Sequence, residues 1–295
     1  MALAPAGPVT GFTPAEVIYP HARYPEGPQL TPQGLLVAEM PADRLALVAK
    51  GKPTRIVWTR PGCGPTSVKA IPSGGFWVLC HLDHRLVRLD NRFKTVTTIT
   101  NDTGGKRIVW PNDGSVDAHG NLYFSSSGLY DLSAPPEGRV MFADAASNIV
   151  TELVGGIRYA NGVRTDEAHG RLLVSEMLKG QVWAYPMIGP GKLGKPTPFF
   201  NFRDAPTPSP RYPLSGPDGI MVLPGGEVLV ADYGNARLML ISQAGQLISV
   251  LPVRFPYVTN MALSPDQSEV YITMTQDNET PEEPGMVQAF KIVHR

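Results

Sequence analysis

Several common classes of function leave no trace in this chain. Only two cysteines occur in its 295 residues, Cys63 and Cys80. The opening Met1–Pro8 has neither a basic start nor a sustained apolar core, so it does not read as a signal peptide. The two thiols are therefore expected to be reduced and unbridged, and the location cytoplasmic. Lys plus Arg and Asp plus Glu number 26 each, giving a formal net charge of zero. That balance provides no global field for nucleic acid or an anionic membrane, and neither partner is expected. No apolar run is long enough to span a bilayer. Apolar positions show no sustained helical period, so long helices are not expected. No Gly-x-Ser-x-Gly elbow occurs, nor a glycine-rich phosphate loop between a strand and a helix.

What the chain does have is a phrase that returns six times. Each copy begins with a small or apolar residue and one polar residue: Pro25-Glu26, Pro65-Thr66, Pro111-Asn112, Ala160-Asn161, Pro217-Asp218 and Thr259-Asn260. A turn and a second apolar strand follow, as in Leu35-Leu36-Val37, Phe76-Trp77-Val78 and Val228-Leu229-Val230. The polar positions 26, 66, 112, 161, 218 and 260 lie 40, 46, 49, 57 and 42 residues apart by subtraction. A multi-strand repeat of this period is the signature of a β-propeller. The expected fold is one all-β domain over residues 1–295, a six-bladed propeller of four-stranded antiparallel blades around a central channel. Residues 1–13 are expected to form a flexible N-terminus. The extended segment Ala15 to Tyr19 is expected to supply the outer strand of the last blade, removing two free sheet edges. Two insertions, Gly128 to Glu137 and the proline-rich stretch 188–212, break the period and stand as either pocket walls or surface loops.

Innermost strands of a propeller converge on its channel. The column Glu26, Thr66, Asn112, Asn161, Asp218, Asn260 therefore points to a site. Two carboxylates and two amides are hard oxygen donors, suited to Ca²⁺ or Mg²⁺, with Mn²⁺ also accommodated. Taken singly, Asn-Gly and Asp-Gly are ordinary turn residues. Four ligand-type side chains at one repeat position in an apolar setting would be costly to bury without a partner. Among the histidines, the His81-Asp83-His84 group on a turn after Cys80 is a weaker candidate for metal binding or proton transfer.

The motifs Tyr24-Pro25-Glu26-Gly27-Pro28, Trp110-Pro111-Asn112-Asp113-Gly114, Ala160-Asn161-Gly162-Val163 and Gly216-Pro217-Asp218-Gly219-Ile220 resemble, in order and spacing, a known propeller family. It is the family of senescence marker protein, gluconolactonase and luciferin-regenerating enzyme. The resemblance implies a divalent cation held by Glu26, Asn161 and Asp218 with Asn112 close by. Ca²⁺ is the expected ion, with Mg²⁺, Mn²⁺ or Zn²⁺ as alternatives. It implies hydrolysis of a small-molecule lactone, of the sugar aldonolactone type, with Asp218 as general base. Asp113 and Asn260 are expected to support the site, and Thr66 and Asn112 to meet substrate. The animal sugar-lactone members carry an arginine where this chain has Trp110, so Trp110 or the nearby Arg107 is expected to take up the substrate contact. The alternatives are another ester or an organophosphate as substrate, or a non-catalytic ligand-binding propeller with a structural calcium. A monomer is expected.

Overall fold

Each repeat folds into one antiparallel sheet, and the six sheets are the blades of a propeller, in a computed structural model that describes residues 7–206, 212–280 and 284–294. The first blade runs Pro25–Thr31, Gly34–Glu39, Arg44–Val48 and Arg55–Thr59, from the channel outwards. The innermost strands of the next five are Pro65–Ala70, Pro111–Val116, Ala160–Asp166, Gly216–Val222 and Tyr257–Leu263. Helical structure among the described residues is confined to four short 3-10 turns.

Apolar side chains on both faces of each blade explain why six sheets form a ring. Leu36, Leu45 and Trp58 of the first blade pack on Val68 and Val78 of the second. Equivalent clusters fill the remaining junctions, ending with Leu35, Val37 and Ala46 against Ala262 and Val287. Each such aliphatic side chain contributes roughly 1.5–3 kcal/mol on burial. Most of the core therefore lies between blades, and it is complete only when the ring is closed.

Closure is made by the N-terminal segment, as the repeat arithmetic expects. The strand Val9–Arg23 pairs antiparallel with Pro284–His294 and becomes the outer strand of the sixth blade. It is longer than expected: Val9 to Thr13, assigned to a flexible terminus by sequence, pair with residues 291–294. The proline-rich stretch 188–212 also differs from a simple loop. Its first part is a strand end and a short hairpin at Lys192–Leu193, and Thr197–Asn201 is the outer strand of the fourth blade. Positions 207–211 lie outside the described residues.

The cysteines depart from expectation. Cys63 and Cys80 form a disulfide, both fully buried, across a separation of 17 residues. Two residues of the same blade, on the loop before its inner strand and at the end of its second strand, are brought to a Cα–Cα distance of 4.6 Å. Pro65 pairs with Cys80 across the two strands, which sets Cys63, two residues earlier on the loop, beside Cys80, a proximity that sequence spacing does not display. The bridge removes the argument from reduced thiols for a reducing compartment. No helix among the described residues is long and apolar enough to cross a membrane.

Candidate metal centre and substrate pocket

The first positions of the inner strands are set by an irregularity that all six share. A shift of register occurs at or beside every column residue: between Glu26 and Gln29, Pro65 and Ser67, Pro111 and Gly114, Ala160 and Val163, Pro217 and Ile220, and Val258 and Asn260. Bulges of this kind re-aim a side chain and are frequent beside active sites. Glycines after three of the column residues let the strands approach one another. A Cβ on Gly162 would lie 2.1 Å from the carbonyl oxygen of Asp218, and one on Gly27 would lie 2.5 Å from the Cα of Ser67. A Cβ on Gly219 would lie 2.5 Å from Cγ of Asn260. These glycines follow from crowding around the axis rather than from turn chemistry.

The result is a cavity of about 190 Å³ lined by Glu26, Thr66, Asn112, Asn161 and Asp218, five of the six column residues. All five are buried. Thr66 spends its hydroxyl on the backbone, donating to the carbonyl of Asn112 at 2.8 Å. Asn112 is fixed by donating from Nδ2 to Ser127 Oγ at 3.0 Å. Asn161 donates from Nδ2 to the sulfur of Met177 at 3.3 Å, and its Oδ1 is buried with no hydrogen-bond partner among the described residues. Such an orphaned acceptor costs on the order of 1–3 kcal/mol unless something is bound to it.

The two carboxylates are under similar strain. Burial raises the pKa of Glu26 well above the usual carboxylate range, and the nearby charge of Asp113 raises it further. Burial likewise raises that of Asp218, reinforced by Glu26 and Asp113. The backbone N–H groups of Gly27 and Gly219 offset only part of this. Among the described residues no three His, Cys, Asp or Glu side chains gather as a metal site. The donors here are two carboxylates and amide oxygens, an all-oxygen set that matches the preference of Ca²⁺. Desolvated like charges beside an unsatisfied carbonyl are what a divalent cation would satisfy.

Above these residues the pocket is aromatic. Tyr24, Tyr130, Tyr159 and Tyr233 line it, with Met40 and Met177. The hydroxyls of Tyr24 and Tyr233 share a 2.5 Å hydrogen bond, and burial raises both phenols well above their ordinary pKa. Tyr24 and Tyr159 stand two residues before column members, in the left-handed region at φ 43° and 57°. That backbone is uncommon for a side chain of this size and is over-represented at functional sites. Tyr130 comes from the Gly128 to Glu137 insertion, which therefore forms part of the wall, and its hydroxyl donates to the carbonyl of Leu214 at 2.7 Å.

The remaining sequence candidates scatter. Trp110 has the same left-handed backbone, φ 43°, but its ring packs edge-on against His84 and it does not line the pocket. Arg107 is exposed and likewise lies outside it. Asp113 is buried beneath the carboxylates, accepting from Ser67 Oγ at 3.0 Å and pairing with Lys69 at 3.1 Å. Asn260 turns its Oδ1 to the N–H of Met261 at 2.8 Å and lines a different cavity further along the channel. His81, weighed low by sequence, does line the pocket. Burial pulls its pKa down to about 4, so near neutral pH it is an uncharged imidazole. A turn position hid it, because the sequence does not show that the turn folds over the channel mouth.

The comparisons bear on this arrangement. A family model described as the SMP-30/gluconolactonase/LRE-like region matches residues 24–276. The chain belongs to that family. A comparison with proteins of curated function finds no match by sequence. Among solved structures, a gluconolactonase from Xanthomonas campestris superposes with a TM-score of 0.76 at 17% identity, covering 99% of both chains. Regucalcin from Agrobacterium tumefaciens, described as a calcium-binding protein, gives 0.73 at 18% identity over 99% of this chain and 98% of that one. A luciferin-regenerating enzyme gives 0.72 at 20% identity over 94% of each. At these identities the likeness is one of fold. Membership of the family supports a lactonase-type hydrolase.

Proposed function

We propose that the protein is a divalent-metal-dependent lactonase that opens a small lactone, of the sugar aldonolactone type, in the tyrosine-lined mouth of the channel. The observation that carries this reading is the orphaned Oδ1 of Asn161 beside two desolvated carboxylates, Glu26 and Asp218. Glu26, Asn161 and Asp218 would hold the ion, with Asn112 beside them, and Ca²⁺ is the ion of choice. Bound there, the cation supplies Lewis-acid polarisation of the lactone carbonyl.

The chain's own groups do the rest. Asp218, a carboxylate facing the cavity, accepts the proton of the attacking water. Tyr24, Tyr159 and Tyr233 wall the site, exclude bulk water and offer ring faces for a sugar ring. His81, uncharged, offers a ring nitrogen to a substrate hydroxyl while its Nδ1 lies 3.3 Å from the carbonyl of Pro111. Trp110 and Arg107 have no part in this reading. The protein acts as a monomer on a free small molecule.

A pH-indicator assay of glucono-, galactono- and xylono-lactone opening tests the proposal. Metal-stripped protein is assayed with Ca²⁺, Mg²⁺, Mn²⁺ and Zn²⁺ restored singly, with Glu26→Ala alongside. Activity restored by metal and absent in Glu26→Ala supports the reading. A protein that binds calcium but opens no lactone is instead a ligand-binding propeller.

A further inference from the structure

The same inner strands build a second, separate cavity further along the channel, and its chemistry is of opposite sign. Because the inner strands bulge at or beside the column residue, a channel-facing position falls three residues on in all but the third blade, where Asp113 and Gly114 face the channel instead. In five of the blades those positions are Gln29, Lys69, Arg164, Met221 and Leu263, and all five line a cavity of about 200 Å³ together with Asp113 and Asn260. Arg164 lies three residues beyond Asn161 on the Ala160–Asp166 strand.

Arg164 is poorly served by the protein around it. Its Nε is buried and makes no hydrogen bond among the described residues. A guanidinium presents five donors in a rigid fork, and leaving even one of them buried without an acceptor is costly. Asp113 and Asp166 attract it through space. Both have closer engagements: Asp113 with Lys69 and Ser67, and Asp166 with Arg171 and His169, each at 2.7 Å. Gln29 turns its amide to the carbonyl of Leu30 at 2.8 Å. Lys69 is itself buried, and its pairing with Asp113 uses one of three ammonium donors. The cavity thus holds a buried ammonium, a half-buried guanidinium whose Nε is unpaired, and one carboxylate, Asp113, shared between them.

We propose that this second cavity is an anion site, in which Arg164 and Lys69 receive a small oxyanion of the phosphate or carboxylate class. A guanidinium fork engages two oxygens of such a group at once, and the ammonium adds a third contact. The site does not depend on the metal reading of the first cavity.

The test is thermal unfolding against added inorganic phosphate at constant ionic strength, with acetate as a parallel arm. The expected result is a saturable rise in Tm with one of the two anions, which identifies a tetrahedral or a planar group. Arg164→Gln is expected to weaken that response at least tenfold. Glu26→Gln, which alters the other cavity, is expected to leave it intact. A loss in Glu26→Gln with retention in Arg164→Gln would assign the anion to the metal centre and overturn the proposal. No saturable response to either anion would also overturn it. Should Arg164→Gln fail to fold, wild-type crystals soaked in tungstate decide the matter. Anomalous density between Arg164 and Lys69 supports the site, and density absent from that cavity refutes it.

Discussion

Two groups three residues apart on one strand, Asn161 and Arg164, are left unsatisfied in opposite senses. Asn161 buries an acceptor without a donor, and Arg164 buries a donor without an acceptor. Around the first stand Glu26 and Asp218, and around the second Lys69. Folded chains rarely bury polar atoms unpaired. The comparison teaches that the channel is two differently charged chambers on one set of strands. Each leaves a group that a ligand of the opposite sign would satisfy, which is the basis of the two proposals above.

The largest effect that would sharpen this contrast is on turnover. Asp218→Asn keeps the shape and an oxygen donor but removes the base, and lactone opening is expected to fall by about 10²–10⁴-fold. Steady-state assays at saturating Ca²⁺ check this, and full activity in the variant would remove Asp218 from the base role. The anion response of the second cavity should be unchanged in the same protein.

Next comes the disulfide, which lies on the side of the first cavity alone, next to His81 and Leu82 in its wall. Cys63→Ala with Cys80→Ala is expected to cost roughly 3 kcal/mol, as for a loop of this length. Denaturant unfolding measures it, and an unchanged midpoint would mean that the bridge does not constrain this blade.

Gly162→Ala is a smaller and more local perturbation. The added methyl meets the Asp218 carbonyl oxygen at 2.1 Å. The strands must part, at an expected cost of about 1–3 kcal/mol. Metal affinity should fall with stability, since Asn161 and Asp218 flank the contact.

The smallest effect concerns charge. The folded-state pKa of Glu26 is raised, so its ionisation opposes folding as pH rises through that value. In metal-stripped protein, Glu26→Gln is expected to raise Tm at pH 8, and the gain should shrink as pH falls toward the ordinary carboxylate range. Saturating Ca²⁺ should reverse the order of the two proteins. The comparison must be made between variants, because His81, held down to about 4, has the opposite dependence and loses its stabilising effect as pH drops below its unfolded value.

Much of this architecture was legible beforehand, and for physical reasons. Six polar residues at one repeat position can meet only on an axis, so the ring, its closure by the N-terminal strand and the cluster of Glu26, Asn112, Asn161 and Asp218 all followed from spacing. What spacing does not carry is rotation within a strand. Asn260 shares the column yet turns to its own backbone, and Trp110 occupies the position of Tyr24 and Tyr159 yet packs outwards on His84. Side chains supplied by turns and insertions, His81 and Tyr130, depend on where a loop folds back. The second chamber was hidden for a further reason: the shared bulge makes the channel-facing interval three residues, not the two of a regular strand.

Calorimetric titration of Ca²⁺ into metal-stripped protein tests the central claim most directly, with Asn161→Ala and Glu26→Gln beside the wild type. A single site in the wild type, weakened at least tenfold in both variants, is the predicted result. Undiminished binding in the variants, or no binding of Ca²⁺, Mg²⁺ or Mn²⁺ to the wild type, would contradict it.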